Sequence, residues 1–287
     1  MYGSLLSVLL MGMIPVWGMP SAANTDIGQM TVAVPLNRGG SGTGFLTLGR
    51  RLTASGIIIM DLDSGQTLFD RNADATRPMA SLTKLMTAIL ITEHHSLSEM
   101  VTIPADIEDV SGTVAHLPAG DQLSVGDLLS VLLIDSANDA AVTLARFHSG
   151  SLSAFVTEMN ARARVLGMKS TVYANPTGLD SPTQHTSPRD LAWLTMTALR
   201  MPAIAERMST RGLQIVTMKG KTIYLTHTHA LLHADTAVKA GKTGTTDAAG
   251  ECLLSVVNTN QHHYVVVLLR SRDRYADMRV VLDTLTH

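Results

Sequence analysis

The apolar pattern of this chain changes period twice, from strand to helix and back to strand, and that order limits the fold more than any other feature. Gly56-Ile-Ile-Ile-Met-Asp61 reads as a buried strand, Asp63-Ser-Gly65 as a turn and Gln66–Phe69 as the returning strand. Residues 79–93, 126–134, 139–148, 151–166 and 189–200 then carry apolar residues at helical spacing, with Gly167 as a helix stop. From about residue 212 the pattern is again that of strands: Leu213–Met218, a turn at Lys219-Gly220, Thr222–Thr226, Ala237–Thr246, Cys252–Asn258 and His263–Arg270. Tyr275–Leu285 has an apolar stripe and reads as a closing helix. Strands, a helical block and further strands predict an α+β fold. Both ends of the chain build one antiparallel sheet, and the helical block is inserted as a second lobe. The groove between the two is the natural place for a ligand.

Composition narrows the function classes. The 287 residues suffice for a large core, and 45% apolar against 16% charged residues excludes a disordered chain. A net charge of −2 with no basic run gives no electrostatic footprint for nucleic acid. The single cysteine, Cys252, excludes an internal disulfide and a cysteine-built zinc site, and on its inner strand it reads as a small buried residue. Sixteen methionines scattered along the helices read as core packing.

Residues 4–19 form an apolar run ending in Pro20-Ser21-Ala22-Ala23, whose small residues fit signal-peptidase cleavage after Ala23. The run has no leading Lys or Arg, and Gly12, Pro15 and Gly18 interrupt it. Residues 1–23 are expected to be a signal peptide directing export to the periplasm or cell envelope, residues 24–54 an N-terminal extension or linker, and residues 55–287 the folded domain. The glycine-rich stretch 38–44 is followed by Phe45 to Arg51, which shows no helical period, so a linker is expected there rather than a phosphate loop.

Three short motifs occur in the order Ser81-Leu-Thr-Lys84, Ser136-Ala-Asn138 and Lys242-Thr-Gly244. Each alone is common. Their order is that of serine acyl-transferases of the penicillin-recognising type, and their contexts suit it: a helix start, a turn beside a helix and a strand. Two of only six lysines fall in them. Ser81 and Lys84 share one helix face, and the helix N-terminus favours an oxyanion beside Ser81. Burial and a neighbouring cation such as Lys242 lower the pKa of Lys84 and make it a base. Ser136 can relay a proton to a departing amine, and Asn138 can hold a substrate amide. The strand through Lys242, Thr243 and Gly244 can pair with an extended peptide, Gly244 admits its backbone closely, and the Thr245 N–H can complete an oxyanion hole.

With these motifs, the chain resembles the low-molecular-mass penicillin-binding proteins, serine D-alanyl-D-alanine peptidases that act on the peptide stems of bacterial peptidoglycan. The resemblance spans about residues 55–285. It includes Arg77-Pro-Met-Ala-Ser-Leu-Thr-Lys-Leu-Met-Thr-Ala88, Asn175-Pro-Thr-Gly-Leu-Asp180 and Gly241-Lys-Thr-Gly-Thr-Thr-Asp-Ala-Ala-Gly250. Asp135 to Met168 looks most similar to the small periplasmic subgroup, whose members cut cross-links as endopeptidases. The resemblance implies a β-lactamase/transpeptidase-like fold, a penicillin-binding D,D-peptidase domain over 55–287, and an acyl-enzyme on Ser81. It implies Lys84 as base, Ser136 and Asn138 as second motif, and Lys242, Thr243, Gly244 and Thr245 as substrate strand. The oxyanion donors are the Ser81 and Thr245 N–H groups. Arg274, with Arg272 as fallback, is the candidate for the substrate carboxylate. Peptidoglycan stems are the expected partner, β-lactams the covalent inhibitors, and no cofactor or metal is called for. The sequence ends soon after the closing helix, so a soluble protein is expected, without the extra β-rich domain and amphipathic anchor of the longer carboxypeptidases.

Two other functions share this frame. A β-lactamase needs a glutamate-held water in a loop between the second and third motifs. Glu158 and Glu206 are the only glutamates there, both at positions read as helical. A non-catalytic murein-binding module is disfavoured by the intact motifs. Where the family has Asn-x-Asn, this chain has His227-Thr-His229, read as one face of a strand with His233 nearby. No carboxylate or cysteine joins them at helical spacing, and the chemistry of the three motifs needs no metal. His94-His95 and His262-His263 read as solvated turns.

Overall fold

The structure, a computed structural model, describes residues 43–286. The expected signal peptide and residues 24–42 of the expected linker lie outside them. A helix α1 (Thr43–Arg51) leads into β1 (Gly56–Asp61) and β2 (Thr67–Arg71). The lobe follows, with α2 (Lys84–His94), β3 (Met100–Thr102), β4 (Gln122–Ser124), α3 (Val125–Ile134), α4 (Asn138–Ser149), α5 (Leu152–Val165), α6 (Pro188–Leu199) and α7 (Pro202–Ser209). The chain returns through β5 (Gly212–Val216), β6 (Thr222–Thr226), β7 (Val238–Thr246), β8 (Gly250–Thr259), β9 (His262–Ser271) and α8 (Arg274–Thr286).

The expected α+β architecture is present. The five-stranded sheet runs β2-β1-β9-β8-β7, antiparallel throughout, so both ends of the chain meet in it and β7 is an edge. Alternation along the strands splits the core. Ile57, Ile59, Leu253, Val266 and Leu268 face a cluster with Leu48, Met278, Val281 and Leu285 of the two terminal helices. Ile58, Met60, Cys252, Leu254, Val265 and Val267 face the helical lobe. Inside that lobe α2 is buried from Lys84 to Ile91, the mark of a helix enclosed on every side.

Several expectations need correction. Residues 43–51 are helix, not linker. Leu48 and Leu52, four apart, are buried beneath α8, and the Arg71 guanidinium caps the helix C-terminus by donating to the carbonyls of Gly49, Leu52 and Ala54. Phe45, Leu48 and Leu52 recur at i, i+3 and i+7, a helical period that the linker reading overlooks. Strands β5 and β6 pair only with each other, apart from the main sheet. His227 and His229 lie in the turn after β6 rather than on a strand, and both are buried. His95 is half-buried, its ring bonded to Glu99 at 2.8 Å and to His148 at 2.9 Å. His262 and His263 are exposed as expected but open β9 instead of forming a turn.

Candidate active site

Ser81 sits in a 3₁₀ turn, Ala80–Thr83, that feeds directly into α2. Ala80 has φ +47°, a left-handed conformation that a Cβ-bearing residue adopts at a cost. Two glycine backbones hold it there. A Cβ on Gly178 would stand 2.0 Å from the Ala80 carbonyl oxygen, and one on Gly244 would stand 2.8 Å from the Ser81 nitrogen. The turn is thus wedged between the 175–180 loop and β7, which puts Thr245 one residue from the Ser81 N–H.

Lys84, one turn along, is fully buried. Its Nζ donates to the Asn138 carboxamide oxygen at 2.7 Å and the Thr177 carbonyl at 2.6 Å, and lies 2.9 Å from Ser81 Oγ. Burial, and after it the neighbouring Lys242 ammonium, hold its pKa well below the lysine range, against the opposing pull of Asp139. A neutral amine has two N–H groups and one lone pair. With both protons given to amide oxygens, the lone pair is left for the serine hydroxyl.

The second motif arrives on the turn between α3 and α4. Ser136 has φ +62°, a second left-handed residue with a Cβ at the site. The Asn138 amide group donates to Ser111 O at 2.8 Å, and the Asp139 carboxylate accepts from the N–H groups of Ala115 and Leu117, which pins the 111–117 loop across the motif. The buried Lys242 side chain joins this motif to β7, with Nζ 2.6 Å from Ser136 Oγ and 2.9 Å from its neighbour's carbonyl at Thr243. Burial and then Arg274 push Lys242 down to about 7, with Asp135 acting the other way. The Thr228 and Thr243 hydroxyls meet at 2.6 Å, Gly244 is buried and Thr245 is exposed.

Arg274, at the start of α8, braces the end of this strand. Its guanidinium donates to Gly244 O at 3.0 Å, to Cys252 O at 3.1 Å and to the Thr245 hydroxyl. Arg272 is exposed and meets Thr53 through its backbone. Beside the nucleophile turn opens a cleft of about 530 Å³ lined by Arg77, Met79, Ala80, Gly178, Asp180 and Ala248 among others.

The fold therefore brings Ser81, Lys84, Ser136, Asn138, Lys242, Thr243, Gly244, Thr245 and Arg274 together in one set of neighbouring contacts. Sequence reasoning assigned no part to Thr177, whose contribution is a carbonyl, or to Thr228. The signal within reach was Asn175-Pro-Thr-Gly178, a turn sequence. The Asn175 side chain accepts from the N–H groups of Thr177 and Gly178, which aims the Thr177 carbonyl at Lys84.

Known proteins resemble this chain in sequence and in fold. Residues 46–272 match the model of peptidase family S11, described as D-alanyl-D-alanine carboxypeptidase. A D-alanyl-D-alanine endopeptidase of Pseudomonas aeruginosa is 33% identical over 80% of this chain and 75% of its own length. An Escherichia coli protein of the same name is 30% identical over 78% of this chain and 73% of its own. Among solved structures, the Streptomyces K15 DD-transpeptidase superposes with a TM-score of 0.77 at 25% identity, over 82% of this chain and 96% of that one. Because the matched segment encloses all three motifs and most of the chain, the protein belongs to the D-alanyl-D-alanine carboxypeptidase family of serine peptidases, the low-molecular-mass penicillin-binding proteins.

Proposed function

We propose that this serine D,D-peptidase of peptidoglycan acts through an acyl-enzyme on Ser81 and that its preferred bond is the cross-link between stems, so that it works as an endopeptidase. The observation that carries the Ser81 assignment is the Lys84 amine, saturated by Asn138 and Thr177 and turned on Ser81 Oγ at 2.9 Å. Lys84 takes the hydroxyl proton as Oγ attacks the D-alanyl carbonyl carbon. The Ser81 and Thr245 N–H groups receive the developing oxyanion. As the intermediate collapses, the C–N bond breaks and the proton held by Lys84 passes through Ser136, bridged to Lys242 at 2.6 Å, to the departing amine, which leaves Lys84 neutral again. Water then attacks the ester, with Lys84 again as base, and frees Ser81. Asn138 and the outer edge of β7, residues Lys242 to Thr245, align the stem, and Arg274 meets its carboxylate. β-Lactams acylate the same serine.

Two observations support the cross-link. The relatives at 33% and 30% identity bear the endopeptidase name. A cleft of about 530 Å³ adjoins the nucleophile turn at Met79 and Ala80, where a second stem could lie. A β-lactamase role is disfavoured, since Glu158 lies on α5, bonded to His148 and Ser149, and Glu206 lies on α7. The site of action we propose is the cell envelope. No helix of the described residues is long and apolar enough to cross a membrane. Digestion of purified cross-linked muropeptide dimers and of monomeric pentapeptides, followed by mass, tests the reading. Dimers are expected to split to monomers. Pentapeptides losing one alanine while dimers persist would make the enzyme a carboxypeptidase, and penicillin labelling that survives Ser81→Ala would overturn the nucleophile.

A further inference from the structure

The turns β1–β2 and β8–β9 meet at the end of the sheet opposite Ser81. Asp61 pairs with Tyr264, Tyr264 with Val257 and Val257 with Val238, at the start of β7, whereas Gly244 beside the nucleophile pairs with Cys252 near its far end. Asp61 is 8% exposed, and its carboxylate is already oriented. Oδ1 accepts from the N–H groups of Asp63 at 2.9 Å and Ser64 at 2.8 Å and from the Ser64 hydroxyl at 3.0 Å. Oδ2 instead faces His262 Nδ1 at 3.3 Å, a contact not aligned as a hydrogen bond. The Asp63 carboxylate is steadied from the other side by the His263 N–H at 3.1 Å and by the His263 ring. One donor atom from each of Asp61, Asp63 and His262 lies within 4.8 Å of the other two.

Two carboxylates within 4.8 Å of each other make a site of negative potential that favours a cation. The 3.3 Å separation of Oδ2 and Nδ1 equals the spacing of two donors bound about 2.0–2.1 Å from one tetrahedral ion. We propose that Asp61, Asp63 and His262 form a binding site for a zinc-type divalent cation that clamps the two turns together. One imidazole nitrogen with two carboxylate oxygens suits a borderline ion such as Zn²⁺, whereas Ca²⁺ and Mg²⁺ prefer larger all-oxygen shells. Water completes the fourth position. Ser64 and His263 act through the ligands as positioning residues, each fixing one carboxylate. Peptidase chemistry at the opposite end of the sheet does not depend on the ion.

The test is a calorimetric titration of the purified chain with Zn²⁺ at neutral pH, with Co²⁺ as a visible probe of coordination. His262→Ala and Asp63→Asn alter exposed side chains, and covalent penicillin labelling of each variant reports that it is folded. We expect one zinc equivalent that each of these variants weakens by about 100-fold and Ser64→Ala by about 10–100-fold. The Co²⁺ form should show intense four-coordinate bands that His262→Ala removes. Absence of zinc binding by the parent chain, or equal affinity in parent and His262→Ala, would overturn the site, since the chain has eleven histidines that offer zinc other places.

Discussion

A Cβ placed on Gly178 would lie 2.0 Å from the carbonyl oxygen of Ala80, so the loop after α5 and the turn that carries the nucleophile touch through bare backbone. Gly178 has φ +92°, and Ala80 itself is left-handed at +47°. Neither side of the contact can yield without moving Ser81. Gly178→Ala is therefore expected to shift the serine and the Thr177 carbonyl together, and a displacement of about 1 Å at a reacting group costs on the order of 10²-fold in rate. The second-order rate of penicillin labelling, measured beside the thermal midpoint, checks this. A folded variant that labels at the parental rate would show that the contact does not position Ser81.

Lys84→Arg keeps the charge and removes the base. A guanidinium stays protonated and offers no lone pair to the Ser81 hydroxyl. Loss of a general base is worth about 10²–10⁴-fold, and the acylation rate should fall by that amount. Near-parental turnover would mean that Ser81 is deprotonated by another group.

Sequence legibility followed the source of each element's stability. Strands β1 and β7 to β9 and helix α2 were readable because their apolar spacing is local. Helix α1 has its period too, in Phe45, Leu48 and Leu52, but the glycine-rich stretch before it reads as a linker and masks a helix of only nine residues, whose end is capped by Arg71 from β2. Helix α7 has only eight residues and opens on Pro202, too short a span to show a helical period in the sequence. At the site, side chains with a chemical signature were found, including Lys84 and Lys242. The Thr177 carbonyl was not, because every residue has one and only the fold aims it. His227 and His229 were placed on a strand because alternation was the only pattern available, whereas the backbone turns there so that the His229 N–H can donate to His227 Nδ1 at 3.0 Å.

Lys242 makes stability depend on pH. Burial and Arg274 lower it from 10.5 to about 7 in the folded chain. Between those values the unfolded chain holds a proton that the folded chain has released, so this group's contribution to stability rises with pH across the window and is flat outside it. The slope for one proton is about 1.4 kcal/mol per pH unit. Urea unfolding at several pH values should show the parent gaining on Lys242→Met from neutral pH to about pH 10. A stability difference independent of pH would mean that Lys242 stays charged in the folded protein.

The histidines beneath the third motif give the opposite limb. Burial, then Lys242 and His229, lower His227 to about 3, and burial lowers His229 to about 4. The hydrogen bonds fix the same state. His227 Nδ1 accepts a backbone N–H, so that nitrogen carries no proton, and the His229 ring, bonded to Ser255 Oγ at 2.8 Å, fills the space where a Cβ on Gly241 would stand 2.5 Å from its Cδ2. Below the ordinary histidine value of 6.5 the unfolded chain takes up two protons that the folded chain refuses until about pH 4. Stability is therefore present above 6.5 and lost as pH falls through that window, with a limiting slope of about 3 kcal/mol per pH unit for two groups. Replacing both residues by Asn should flatten that acid limb while costing packing at neutral pH. Denaturant unfolding of parent and double variant between pH 7 and about 4.5 reads the difference, and parallel curves would mean that the two rings accept protons inside the folded protein.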